Sequence, residues 1–274
     1  MVQSLTFWIA VTSYAVATVF FFLGFGFGKE KFATWGRWLS IGALLPHATA
    51  LGLRWAEVGH GPYNTRYEVL SADVFLLVLV YVIAGFFAKG IRSLGFFIMP
   101  IAFLGMGFGV ATFELKGEVP IIFRSAWLWL HVGFAKLFAV CALIATGAAA
   151  GYLVKKRDAG RLKWMPSTQT LELYSHQFLL VSFLFLGVMI AAGSLWANQS
   201  WGRYWNWDPI ETSALVTWLA FGVILHFRVL HRWNGVRMAW LTFVAAAFMI
   251  FTSFVVVIAV PTVHNSSMVG RLTP

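Results

Sequence analysis

Eight apolar runs of about twenty residues recur along this chain, and a soluble globule has no way to bury that many. They lie near 5–28, 37–54, 69–88, 94–113, 127–154, 178–197, 210–230 and 238–260. At 1.5 Å per residue, about 20 apolar residues cross a bilayer core of roughly 30 Å. Charged residues make up only 11% of the 274 residues and hydrophobic ones 60%, against about 25% charged in a soluble domain. The fold class that follows is an all-α polytopic membrane protein with about eight transmembrane helices. The first run lacks a basic leader and a small-residue cleavage site, so it reads as a retained helix. The longest polar interruption runs from Lys155 to Gln177, and the whole of 1–274 therefore reads as a single membrane domain. Within that interruption, Thr168 to His176 reads either as a short amphipathic helix on the cytoplasmic surface or as a solvated connector.

A net charge of +10 raises nucleic acid as a partner, but the distribution of the bases points to the lipid bilayer instead. Thirteen of the twenty lie in alternate loops: Lys29, Lys31, Arg37, Lys89, Arg92, Lys155, Lys156, Arg157, Arg161, Lys163, Arg228, Arg232 and Arg237. Six lie in the opposite set and the tail, namely Arg54, Arg66, Lys116, Arg124, Arg203 and Arg271. By the positive-inside rule both termini face out, as does the loop between the sixth and seventh helices. No role with nucleic acid is expected. The only cysteine, Cys141, reads as a small buried helix residue, so any thiol reduction falls to a partner.

The loop on that outer face is dense in tryptophan. Trp196, Trp201, Trp205 and Trp207 fall within twelve residues of the segment 196–218, WANQSWGRYWNWDPIETSALVTW. Such a cluster is a poor ion site and a good platform for a flat ring with apolar faces and a polar edge, and haem is such a ring. Asp208, Pro209 and Glu211 read as the start of the seventh helix, with aspartate as N-cap, proline at the first position and glutamate completing a capping box. Arg203 has two readings, partner of a haem propionate or solvent-exposed base.

Ionisable groups inside a bilayer cost a few kcal/mol unless paired, so each histidine is weighed in turn. His131 falls near the outer end of the fifth helix, and His264 follows the outer end of the eighth. Two imidazoles beside an aromatic shelf supply what a six-coordinate haem iron needs. Taken singly, either histidine also fits an ordinary interfacial residue. His226 lies about 24 Å below the outer start of the seventh helix. It is either a ligand at a second, inner position or a helix-end residue reaching toward Arg228 and His231. His47, after Pro46, is expected to serve the carbonyl that proline leaves unpaired. His60, His176 and His231 are expected to be solvated.

These residues resemble the CcsA/ResC family of the system II cytochrome c biogenesis machinery, part of a superfamily marked by a WGxYWxWDP loop. That loop stands here as Trp201-Gly202-Arg203-Tyr204-Trp205-Asn206-Trp207-Asp208-Pro209, followed by Glu211-Thr212 and Trp218. A second segment, LRWAEVGHGPYNTRYEVLS from Leu53 to Ser71, is similar to the family's RW...GH.P..N.YE.L pattern. The tail VPTVHNSSMVGRL departs from the family's glycine-rich ending. The resemblance implies a haem-binding subunit of a cytochrome c synthase (haem lyase) complex. Haem b would cross the membrane and be presented outside for attachment to the CxxCH motif of apocytochrome c. It places outer haem ligands at His131 and His264 and an inner one at His226, whose opposite ligand would come from a CcsB/ResB-like membrane subunit. Trp201, Trp205 and Trp207 would form the shelf, with Arg203 and Tyr204 at its edge. The membrane implied is a bacterial cytoplasmic membrane or a thylakoid. The alternatives weighed are a system I-type haem exporter or delivery subunit, a di-haem electron-transfer subunit and a small-molecule transporter.

Overall fold

A computed structural model of the protein describes residues 1–111, 125–160 and 162–260, and these form helices joined by turns, with no strand among them. The long helices are α1 (Val2–Phe27), α2 (Glu30–Val58), α3 (Arg66–Phe87), α4 (Gly95–Ala111), α5 (Ala126–Arg157), α6 (Thr168–Trp201), α7 (Pro209–Val229) and α8 (Val236–Ile250). A 3₁₀ turn, Lys89–Leu94, leads into α4. A π-helical turn, Phe251–Val256, and a last helical turn, Val257–Ala259, extend α8. Each of the eight expected spans falls on one of these helices. Seven of them, counting the turns that extend α4 and α8, are long and apolar enough to cross a membrane.

The eighth is α2, whose polar residues point inward. Ser40, His47 and Arg54, spaced at seven, are buried on one face, while Trp35, Trp38, Leu45 and Trp55 are exposed, Leu45 by 75%. An average over such a helix understates how apolar its outer face is.

The chain divides into two compact units. The first gathers α1 to α4 with the end of α5 from Ala150 and the start of α6 as far as Tyr174. Its core is polar at two levels. His47 is fully buried; its Nδ1 lies 3.0 Å from the Tyr14 hydroxyl and its Nε2 3.1 Å from the Ser71 hydroxyl. Contrary to expectation, the ring thus bonds to α1 and α3 rather than serving the carbonyl left by Pro46, because two hydroxyls lie within its reach.

Where α2 gives way to α3, the segment from Leu53 to Ser71 is tied by a single knot. Gly59 ends α2 in the left-handed region, φ 76°, where a side chain costs energy. Arg54 Nε donates to Glu68 Oε1 at 3.0 Å, with both side chains buried. The other carboxylate oxygen of Glu68 accepts from the backbone amides of Asn64 and Thr65 at 3.3 Å each, and the Thr65 hydroxyl accepts from the Glu68 amide, completing a capping box at α3. His60 is half-buried here rather than solvated; its Nδ1 donates to the Gly61 carbonyl at 2.8 Å and lies 3.9 Å from Glu68.

The second unit holds α5 to Ala149, α6 from Ser175, α7 and α8. Phe138, Leu179, Leu186, Phe221, Ile224 and Met249 pack in its core. Helices in lipid gain little from hydrophobicity alone, so hydroxyl contacts between them matter. The Ser182 hydroxyl donates to the Phe138 carbonyl at 2.9 Å, joining α6 to α5. The Thr217 and Thr252 hydroxyls lie 2.6 Å apart, and Thr252 donates to the Ser213 carbonyl at 3.2 Å, tying α7 to the π-helical turn. Cys141 is buried, as expected.

The starts of α6 and α7 are both capped. The capping box expected at α7 is present: Asp208 Oδ1 accepts from the Ile210 amide at 2.9 Å and Glu211 reaches back to the Asp208 amide at 3.3 Å, with Pro209 in the first turn. By contrast, Thr168 to His176 is neither a separate surface helix nor a solvated connector. It forms the first turns of α6, capped by the Ser167 hydroxyl on the Thr170 amide at 3.2 Å. No glycine or proline stands between Thr168 and Gly187 to break it, and His176 is half-buried within it.

Two predictions follow from these contacts. Glu68→Ala strands the buried Arg54 and removes the α3 cap together, so a loss of about 3–5 kcal/mol is expected, read as a lowered unfolding midpoint in detergent; an unchanged midpoint would show that the pair contributes nothing. Asp208→Ala should cost about 1 kcal/mol at the start of α7, read as faster hydrogen exchange at the Ile210 amide.

Candidate functional site

On α6, Met189, Gly193 and Trp196 are spaced by four and three and so share one face. His131 of α5 lies against that face. Its Nδ1 is 2.9 Å from the Met189 carbonyl. A carbonyl only accepts, so Nδ1 carries the proton and Nε2 is the basic nitrogen. Gly193 makes room for this contact: a Cβ at that position would stand 2.6 Å from His131 Nδ1. The imidazole also stacks on Trp196, centroids 6.1 Å apart and planes at 24°, and Trp196 meets Trp201 edge-on at 5.0 Å. Trp196 is only 3% exposed. Ser125, just before α5, donates to Gln199 Oε1 at 2.6 Å and pins the start of α5 beside the end of α6.

The loop from Gly202 to Asp208 forms the outer part of this end. Trp205 and Trp207 pair at 5.8 Å with planes at 89°. Of the tryptophans expected to form a shelf, Trp201 pairs with Trp196, while Trp205 and Trp207 pair with each other. Trp207 is 72% exposed and holds φ 56°, a left-handed conformation that costs a non-glycine residue about 1–2 kcal/mol. Glu211 supplies the restraint. The same carboxylate oxygen, Oε2, accepts from the Asn206 amide at 2.8 Å and the Asp208 amide at 3.3 Å, on either side of Trp207. Arg203 and Tyr204 are exposed on the same loop.

His226 lies seventeen residues beyond the start of α7, about 25 Å along the helix. The second unit thus carries His131 and the tryptophan loop at one end and His226 at the other. His226 is exposed, and its ring is 5.9 Å from that of His231, also exposed. Nearby, Phe227 stacks on Trp233 at 4.5 Å, and the Arg237 guanidinium lies over the Trp233 ring at 5.7 Å. His264 lies outside the described residues.

This geometry suits a particular kind of ligand. Among the described residues no three or more His, Cys, Asp or Glu side chains gather as a bare metal ion would require. A single histidine with its proton fixed on Nδ1, set against indole faces, fits a metal whose equatorial positions a flat ring already fills. Sequence reasoning singled out His131 and the tryptophan cluster that includes Trp196, but not Met189 or Gly193. Their shared face on α6 is the signal that would have found them.

A profile of the family described as Cytochrome C assembly protein matches residues 63–264, most of the chain. The cytochrome c biogenesis protein CcsA of Guillardia theta is 30% identical over 252 residues, covering 82% of this chain and 83% of its own length. The CcsA protein of Chlamydomonas reinhardtii is 32% identical over 197 residues, covering 68% of this chain and 55% of its own length. A solved structure, the cytochrome c haem lyase CcmF, superposes with a TM-score of 0.72 over 98% of this chain and 48% of its own, at 17% identity, which shows a shared fold. The chain spans about half the length of that lyase and of the Chlamydomonas relative. With its apolar helices it is a multi-pass integral membrane protein. Similar over most of its length to the CcsA proteins named above, the chain belongs to the cytochrome c assembly protein family.

Proposed function

We propose that this protein serves cytochrome c biogenesis by carrying haem b to the extracytoplasmic side and presenting it to apocytochrome c. The observation that carries this reading is the His131 arrangement, an imidazole bonded to the Met189 carbonyl and stacked on Trp196, which in turn meets Trp201, at one end of a helical unit. His131 and His264 would hold the iron, Trp201, Trp205 and Trp207 would bed the macrocycle, and Arg203 and Tyr204 would meet its polar edge. The protein contributes no nucleophile. The two thiols of CxxCH add across the haem vinyl groups, each sulfur bonding one vinyl carbon and its proton passing to the other. Proximity and orientation are the protein's share of the rate.

At the cytoplasmic end, His226 receives haem first, with the opposite ligand supplied by a CcsB/ResB-like subunit. A separate thiol-reducing partner keeps the CxxCH cysteines reduced. The distribution of basic residues supports an orientation with both termini and the tryptophan loop outside, in a bacterial cytoplasmic membrane or a thylakoid, with 1–274 acting as one membrane module. The likeness of fold to CcmF favours a second reading, a haem delivery subunit of the system I type. A chain that works without a CcsB/ResB-like subunit would support it.

The test replaces His131, His264 and His226 with glycine one at a time in the full chain and follows haem content and spectrum, with and without imidazole. Each outer change should weaken haem retention by more than the roughly 10- to 100-fold that losing a ligand's supporting partner costs a metal site, and imidazole should restore it. Haem content indifferent to all three changes would remove the proposal. Deleting the protein should abolish covalent haem in every c-type cytochrome together; loss of a single respiratory activity would instead favour an electron-transfer subunit.

A further inference from the structure

We propose that Gly193 is a positioning residue for the His131 ligand: by lacking a side chain it lets the imidazole reach the Met189 carbonyl, which fixes the proton on Nδ1 and assigns Nε2 to the iron. This rests on the haem-presenting reading above. A ring nitrogen that must bind metal has to be unprotonated, and in a free histidine the two tautomers interchange. A carbonyl within hydrogen-bond distance of one nitrogen removes that freedom. The Met189 carbonyl is 2.9 Å from Nδ1. It lies one turn before position 193, the turn over which a side chain at 193 would lean. A methyl group there would sit 2.6 Å from Nδ1 and 2.9 Å from Cε1, well inside contact distance for ring atoms. The obstacle would be the ring itself, since the nearest atoms around that position all belong to His131.

Trp196, one turn further along the same face, lies nearly parallel to the ring at 6.1 Å and is itself buried against Trp201. An alanine at 193 therefore has to push the imidazole away from Met189, and both the tautomer and the direction of Nε2 are lost together. Helix α6, not the helix that carries the histidine, sets how the ligand is presented. The Nδ1 hydrogen bond also makes the ligating nitrogen more basic, which favours ferric iron. Haem remaining on a Gly193→Ala protein should accordingly have a more positive reduction potential.

The experiment compares the full-length chain with Gly193→Ala, His131→Gly and the double variant, each titrated with haemin in the presence and absence of imidazole. Gly193→Ala alone should weaken haemin binding about 10- to 100-fold, the usual cost of losing a ligand's supporting partner. In the His131→Gly background with imidazole, the same alanine should change nothing further, because the ring it obstructs is gone. In the haem-free protein, ¹⁵N spectra of labelled histidine should show His131 protonated at Nδ1, and Gly193→Ala should abolish that single-tautomer signature. Equal damage from the alanine in both backgrounds would assign Gly193 to helix packing and overturn the proposal, as would a Gly193→Ala protein with unaltered haemin binding and ¹⁵N spectrum. If His131→Gly itself leaves haemin binding unchanged, the haem-presenting reading falls and this inference with it; an effect of His131→Gly without one of Gly193→Ala overturns the inference alone.

Discussion

Inside a lipid bilayer a polar side chain has no water to bond to, and α2 carries three of them inward. The chain meets this constraint with protein partners at each level. Ser40 returns its hydroxyl to the Gly36 carbonyl of its own helix at 2.8 Å. His47 is bracketed by Tyr14 and Ser71, and Arg54 is matched by Glu68. The last two contacts determine which helices can stand beside α2, since Tyr14 belongs to α1 and Ser71 and Glu68 to α3. A purely apolar face would pack equally well at several rotations. A ladder of specific hydrogen bonds admits one, and leaving any rung unmet costs more than the rung contributes when satisfied.

The second unit solves a different problem with similar means. Its apolar core fills the space between helices, and the polar contacts sit where a direction has to be defined. Met189 acts through its carbonyl, not its side chain, and Gly193 acts through the absence of one. Glu211 serves both the cap of α7 and the two amides that hold Trp207 in a left-handed conformation. These are contacts to the backbone, and they orient His131 and hold Trp207, while the indoles pair with one another.

This division explains which features could be read from the sequence. Spans of twenty apolar residues declare themselves, and so does Asp208-Pro209-Ile210-Glu211, because local geometry alone decides a helix start. The candidate ligand His131 and the tryptophan loop were legible from composition on one loop and from resemblance to a family. The Met189 carbonyl was not, since every residue has one and only the packing of α5 on α6 selects it. His47 was misjudged for a related reason: its partners, Tyr14 and Ser71, are 33 and 24 residues away in sequence. Periodicity along one helix does not report what a neighbouring helix offers. The continuity of α6 through Thr168 to His176 was obscured by the polar composition of that stretch, although it holds no residue that stops a helix.

The π-helical turn at Phe251–Val256 carries a geometric consequence of its own. Admitting an extra residue per turn sets the following side chains about 100° out of step with an unbroken α-helix. A helical wheel drawn straight through α8 would therefore assign Val257 to the wrong side of the rod. The Thr252 hydroxyl, near the start of that turn, donates to the Ser213 carbonyl, so the stretch in which the phase changes is also the stretch tied to α7.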